Sequence, residues 1–168
     1  MKTYAIILAA GKGTRFGESE INKTAVLVNG KPLIRIGIEK IYKKFSEIIV
    51  VVGVKKESVI TALKGLPVTF VNQNEQNGTG HAVKVAIDHI SKFERKPDSV
   101  FVANGDHLFM IEDDVIDNLI DSHFKSKNDV TVLTTYHDSP QELTNGRIVK
   151  SGGHFVKIVE KRFSFWYN

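Results

Sequence analysis

The chain has 168 residues, 42% hydrophobic and 25% charged, a balance that supports one substantial core and excludes a disordered chain. It contains no cysteine, which excludes disulfides, thiolate nucleophiles and thiolate metal sites and leaves oxygen or imidazole as metal donors. The net charge of +4 suits an anionic ligand, but the lysines are scattered and not gathered in a stripe with interleaved aromatics, so nucleic acid is not the expected partner.

The N-terminus enters an apolar run at once, without a charged-then-apolar leader pattern, and no apolar stretch is long enough to span a bilayer. A cytoplasmic chain without membrane contact is expected. The first run, residues 4–8, delivers the backbone into Ala9-Ala10-Gly11-Lys12-Gly13-Thr14-Arg15-Phe16-Gly17. Glycines there let the main chain approach a ligand, while Arg15 and Lys23 place positive charge where phosphates would lie. The spacing is neither that of a Walker A loop nor that of a dinucleotide fingerprint, since no Gly-Lys-Ser/Thr occurs and no helical period follows until after Pro32. A nucleotide triphosphate site is the reading that remains, against an ordinary glycine-rich turn.

Five short runs rich in Val and Ile, at residues 5–8, 48–52, 68–71, 100–103 and 130–133, read as strands buried on both faces. Helical periods separate them: Ile34, Ile38, Ile41 and Phe45; Val59, Ile60 and Leu63; Val83, Ala86, Ile87, Ile90 and Phe93; Ile116, Leu119, Ile120 and His123. Asn29-Gly30 suits a tight turn, and Pro32 the start of the first helix. Strand and helix alternate, which predicts an α/β fold: a Rossmann-like three-layer sandwich with a mostly parallel sheet and helices on both faces. After Tyr136 the rhythm changes, and two short β-like pieces at 147–150 and 155–160 joined through Ser151-Gly152-Gly153 predict a C-terminal β excursion. Without a linker or repeat, residues 1–168 are expected to form a single domain.

In open α/β sheets ligands gather beyond the carboxyl ends of the strands, where strand order reverses. The loop from Gln73 to His81 after the third run offers amides, and Gly78 leaves room for a flat base against the main chain. Taken alone, it reads as a helix start capped by Thr79. Asp106 is the carboxylate at the end of the fourth run, where a hard divalent cation could bridge it to a triphosphate; Asn104-Gly105-Asp106 is equally a turn signal. The six histidines show no metal-ligand spacing. Glu112, Asp113 and Asp114 open a predicted helix, where negative charge complements the dipole.

Leu8-Ala-Ala-Gly-Lys-Gly-Thr-Arg15, Lys23, Asn29-Gly-Lys-Pro-Leu33, Gln73 followed by Gly78-Thr-Gly-His-Ala82, Gly105-Asp106, Gly146-Arg-Ile-Val149 and Ile158-Val-Glu160 occur in the order and at nearly the spacing of another set of proteins. The chain resembles the sugar-1-phosphate nucleotidyltransferase family, and looks most like the N-acetylglucosamine-1-phosphate uridylyltransferase domain within it. The resemblance implies transfer of a nucleotidyl group from an NTP, UTP favoured, to a sugar-1-phosphate, with Mg²⁺ as cofactor. It implies that Leu8, Ala9, Ala10, Gly11 and Gly13 contact the nucleotide, that Gln73, Gly78 and Thr79 read the base, and that Arg15 and Lys23 act on the phosphates as catalytic residues. Asp106 would bind the metal, and Gly146 and Glu160 would face the sugar.

The chain departs from the family at two places. Asn22 stands where the family usually has a proline, and the family's catalytic domain continues past the equivalent of Glu160 into strands carrying a second metal ligand and much of the sugar pocket; Asn168 follows Glu160 too closely to stand in for the family's sugar-binding asparagine. A second copy or another chain covering the sheet edge near Trp166 is therefore an expected partner. Two further readings share these residues: a nucleotide-binding module or half-site without turnover, and a cytidylyl or thymidylyl transferase.

Overall fold

The sheet grows outward from β1 (Thr3–Ala9), whose side chains are almost all buried. In a computed structural model, residues 1–13, 19–138, 146–152 and 154–159 are described. They belong to two compact units, Met1–Thr131 and Val132–Asn168. In the first, β1 pairs in parallel with β4 (Glu47–Val52) on one side and β6 (Ser99–Asn104) on the other, and β5 (Thr69–Asn72) extends the sheet beyond β4. The order β5-β4-β1-β6 reverses direction at β1, so the switch point lies where β1 and β6 end side by side.

Period-two alternation divides β1 between two cores. Ala5, Ile7 and Ala9 pack with Ile34, Ile38 and Ile41 of α1 (Leu33–Ile41), Val59 of α2 (Lys56–Ala62) and Ile116 of α4 (Asp113–Lys125). Tyr4 and Ile6 face the other way, onto Ala82, Ala86 and Ile90 of α3 (Gly78–Ile90). Three helices thus cover one face and one helix the other. The α/β sandwich expected from the alternation is present, with α1 stopping before Phe45.

Between β1 and α1, the short strands β2 (Leu27–Val28) and β3 (Lys31–Pro32) form a hairpin whose turn is Asn29 (φ 51) and Gly30 (φ 76). Positive φ at both central residues is the geometry that matches strand twist, and Asn-Gly adopts it at least cost. Asp113 and Asp114 occupy the first turn of α4, as expected, with Glu112 at its N-cap.

Two expectations fail. Residues 130–133 form no strand: Val130 is 75% exposed and Leu133 49%, and neither joins a ladder. Val and Ile favour strands only through the cross-strand neighbours they pack against, and composition alone cannot supply a partner. Nor are β5 and β6 buried on both faces: edge strand β5 is only partly buried, and Val100 and Val102 of β6 are exposed on the side that α3 covers only in part.

In the second unit, β7 (Arg147–Ser151) and β8 (His154–Val159) pair antiparallel, with a register shift between Val149 and Lys150. Gly152 has φ +56 at the connection, and the β excursion predicted after Tyr136 is thereby realised.

Candidate active site

The carboxyl ends of three parallel strands and one 3-10 turn meet in a cleft of about 190 Å³. From β1 come Leu8, Ala9, Ala10 and Gly11; from the loop after β5 and the start of α3 come Gln73, Gln76, Gly78, Thr79 and Ala82; from β6 and the turn after it come Asn104 and Asp106. Lys23 and Thr24, on the turn Lys23–Ala25, complete the lining.

The turn at the end of β6 is held tightly. Gly105 N–H donates to Leu8 O at 2.9 Å, and His107 N–H donates to Asn104 O at 3.1 Å. A Cβ on Gly105 would stand 3.1 Å from Ile34 Cδ1 and 3.3 Å from Leu8 O, so the approach to β1 leaves little room for a side chain. Asn-Gly-Asp is thus both the turn its composition suggests and the device that brings Asp106 to the cleft.

Lys23 Nζ donates to Asp106 Oδ2 at 2.7 Å. Burial pushes the Asp106 carboxyl up, but the Lys23 hydrogen bond and charge outweigh it, aided by His107 and by Asp106's own amide, and the carboxyl is held below the ordinary aspartate range. Lys23 itself is placed by Asn22, whose side chain caps the turn by accepting from Thr24 N–H at 3.0 Å. Gly13 (φ +65) lies against the same lysine: a Cβ there would be 3.6 Å from Lys23 Cβ.

Gln73 is 3% exposed and anchored by its own N–H donating to Val52 O at 2.7 Å. Its Nε2 donates to Gly78 O at 3.1 Å and lies 3.1 Å from His81 Nδ1, which is also 3.1 Å from Glu75 O. His81 Nδ1 cannot donate to Glu75 O and accept from Gln73 at once, so its tautomer determines which contact is a hydrogen bond. The helix that follows is not capped by Thr79. Asn77 holds the N-cap position with its side chain donating to Glu75 Oε2 at 2.9 Å, while Thr79 sits inside the first turn, facing the cleft. The helix begins at Gly78 (φ +88), two residues earlier than a Thr79 cap requires.

Of the residues singled out from the sequence, Leu8, Ala9, Ala10, Gly11, Lys23, Gln73, Gly78, Thr79 and Asp106 line this cleft. Gly13 lies beside it against Lys23. Arg15, Glu160, Trp166 and Asn168 lie outside the described residues, and Gly146 belongs to the second unit. Thr24, Gln76, Ala82 and Asn104 also line the cleft and were not singled out. Each is within three residues of a residue that was, and Ala82 and Asn104 also belong to the Gly-Thr-Gly-His-Ala and Asn-Gly-Asp stretches already marked in the sequence.

Asp106 is the carboxylate of the cleft, and no cluster of three or more His, Cys, Asp or Glu side chains occurs among the described residues. This donor set does not form an all-protein cage. It fits Mg²⁺, which usually keeps several waters and is held by one or two carboxylates together with substrate phosphates.

A parallel sheet, a glycine loop at its switch point, and Asp106 beyond β6 paired with Lys23 on the turn Lys23–Ala25 define an α/β Rossmann-like fold. Residues 5–156 match the MobA-like NTP transferase domain, and the chain belongs to that family of nucleotidyltransferases. It is 38% identical over 164 residues to the bifunctional protein GlmU of Acholeplasma laidlawii, a match spanning 96% of this chain and 34% of that protein. The chain therefore spans about a third of the length of such curated relatives. Among solved structures, a UDP-glucose pyrophosphorylase complexed with UDP-glucose superposes with a TM-score of 0.66 at 21% identity, covering 96% of this chain and 69% of that one. Rv0371c of Mycobacterium tuberculosis in complex with manganese superposes with a TM-score of 0.57 at 15% identity, covering 73% and 59% respectively. These two likenesses support the α/β Rossmann-like fold.

Proposed function

We propose that the chain transfers a uridylyl group from UTP to a sugar-1-phosphate, N-acetylglucosamine-1-phosphate being the favoured acceptor, and releases pyrophosphate. The observation that carries this reading is the meeting of Lys23, Asp106 and Gln73 around one cleft from three separate stretches of sequence. The relatives point the same way, through the GlmU proteins and the pyrophosphorylase solved with UDP-glucose.

A phosphate monoester has a second pKa of about 6, so the attacking sugar phosphate is already anionic at neutral pH and needs no general base. The protein's task is to align two mutually repelling anions and to compensate the charge that develops on the α-phosphate and the leaving group. Lys23 and Arg15 are the cations assigned to this task. Asp106 would hold Mg²⁺, which would supply further charge compensation, and the manganese complex of Rv0371c is a precedent for a divalent metal in a protein of this fold. The backbone of Leu8 to Gly11 with Gly13 borders the nucleoside, and Gln73 with Gly78 and Thr79 reads the base, a glutamine amide being able to donate to and accept from a pyrimidine edge. From the family resemblance, sugar recognition is assigned to Gly146 and Glu160, and residues 1–168 are read as one nucleotidyltransferase domain.

The test is pyrophosphate release from UTP, assayed with and without Mg²⁺ and with and without N-acetylglucosamine-1-phosphate. Release that requires both is the expected result. UTP binding without release would instead make the chain a binding module, and faster release from CTP or dTTP would change the nucleotide assignment.

A further inference from the structure

Asn22 is the most heavily engaged polar side chain beside the cleft among the described residues, and no role in the reaction has been given to it. It is 3% exposed. Its Nδ2 lies 3.1 Å from Ala9 O, 3.3 Å from Gly11 O and 3.1 Å from Val54 O, and its Oδ1 accepts from both Thr24 N–H and Thr24 Oγ1 at 3.0 Å. Its own N–H donates to Ser58 Oγ at 2.9 Å, and Ser58 Oγ donates in turn to Lys55 O at 2.7 Å. One amide therefore joins the end of β1, the glycine loop, the chain beyond β4 and the turn that carries Lys23.

We infer that Asn22 is a positioning residue, a buried amide strut that fixes Lys23 relative to the Ala9 to Gly11 wall of the nucleotide cleft. This rests on the reading of that cleft as a nucleotide site. The argument is one of geometry and valence. An amide nitrogen has two hydrogens, and here three carbonyls share them, so two segments separated by more than ten residues are held at a spacing set by one side chain. Two of those carbonyls, on Ala9 and Gly11, belong to residues lining the cleft, and the next residue in sequence is Lys23, whose ammonium crosses to Asp106. A serine at this position would still cap the turn, because its hydroxyl can accept from Thr24 N–H, but it has no second donor and is too short to bridge the three carbonyls. Capping and bridging are therefore separable.

The experiment compares Asn22→Ser, Asn22→Ala and Ser58→Ala with wild type, measuring UTP affinity by calorimetry in the presence of Mg²⁺ and thermal stability on the same samples. Asn22→Ser is expected to stay folded and to lose at least tenfold in UTP affinity. Asn22→Ala should lose at least as much affinity and more stability. Ser58→Ala lies outside the cleft and should lower stability with UTP affinity within twofold of wild type. Should Asn22→Ala fail to fold, Asn22→Ser alone decides. UTP binding by Asn22→Ser within twofold of wild type would overturn the inference while leaving the nucleotide site intact. A wild-type protein that binds no nucleotide would overturn the reading of the cleft, and this inference with it.

Discussion

Lys23 Nζ lies 2.7 Å from Asp106 Oδ2 although 83 residues separate them in sequence. The cation proposed for the phosphates and the carboxylate proposed for the metal thus neutralise each other across the cleft. The pairing keeps either group from standing unpaired in a partly buried cleft.

The pair should matter far more to turnover than to folding. The two side chains are 36% and 21% exposed, and pairs so open to solvent contribute about 0–1 kcal/mol. Removing a donor aimed at transition-state charge costs about 3 kcal/mol, roughly a hundredfold or more in rate. Lys23→Ala is accordingly expected to lower kcat in the UTP and sugar-phosphate assay by roughly a hundredfold while moving the urea midpoint little. Turnover close to wild type would remove Lys23 from the phosphate site. Arg15→Ala is expected to show a comparable loss.

Asp106 gives the fold a predictable response to acid. Its carboxyl is lowered from 3.8 in the folded protein, because Lys23 outweighs the opposing effect of burial. Where pH lies between the folded and unfolded values, the unfolded chain binds more protons, so stability rises with pH there. The contribution is fully present above the unfolded value and disappears as pH falls through the folded one. Urea titrations from pH 6 down to pH 2.5 should show wild type losing more stability than Asp106→Asn below about pH 4, by no more than ~1 kcal/mol given the exposure of the pair. Parallel curves for the two proteins would mean that the carboxyl is not lowered.

Gly37→Ala sets two known effects against each other. In a helix interior alanine is favoured over glycine by about 1 kcal/mol. At this position, however, the new Cβ would lie 2.9 Å from Leu108 Cβ and 3.0 Å from Leu108 Cγ, and Leu108 is fully buried two residues after Asp106. Overpacking of a buried contact costs about 1–3 kcal/mol, so the clash should win. A lowered urea midpoint is expected, together with weaker Mg²⁺-dependent turnover as the turn bearing Asp106 is displaced. A stabilised variant would show that α1 and this turn are less closely packed than described.

Gly53→Ala tests the other wall of the cleft. A Cβ would meet Gln76 Nε2 at 2.8 Å and Ala10 O at 2.9 Å. The glutamine can swing away, but the Ala10 carbonyl belongs to the backbone that lines the cleft. The expected outcome is UTP affinity reduced about tenfold, matching an overpacking cost of about 1–3 kcal/mol borne at the site. Unchanged affinity, read by calorimetry, would separate Ala10 from nucleotide binding.

Sheet position should decide the cost of truncating a β-branched residue. Ile49 on β4 is fully buried, whereas Val102 on β6 is 41% exposed. Ile49→Ala is expected to cost about 2–5 kcal/mol. Val102→Ala should cost well under that, within about 1 kcal/mol, because much of its apolar surface already faces water. Equal shifts in urea unfolding would mean that something covers Val102 in solution.

Sequence alone determined the strands β1, β4, β5 and β6, the four helices between and after them and the Asn29-Gly30 turn, because burial period and turn chemistry are local properties that the fold has only to accept. It also marked most of the cleft, since the ligand end of a parallel sheet is fixed by chain direction and the polar loops there stand out between apolar runs. Tertiary structure alone decided that Lys23 and Asp106 form one ion pair, that Asn22 is a buried strut and not a departure without consequence, that Asn77 and not Thr79 precedes α3, and that residues 130–133 find no ladder. The physical reason is common to all four. Each depends on which atoms meet across long sequence separations or on the shape of one turn, and neither composition nor periodicity encodes a distance between residues far apart in the chain.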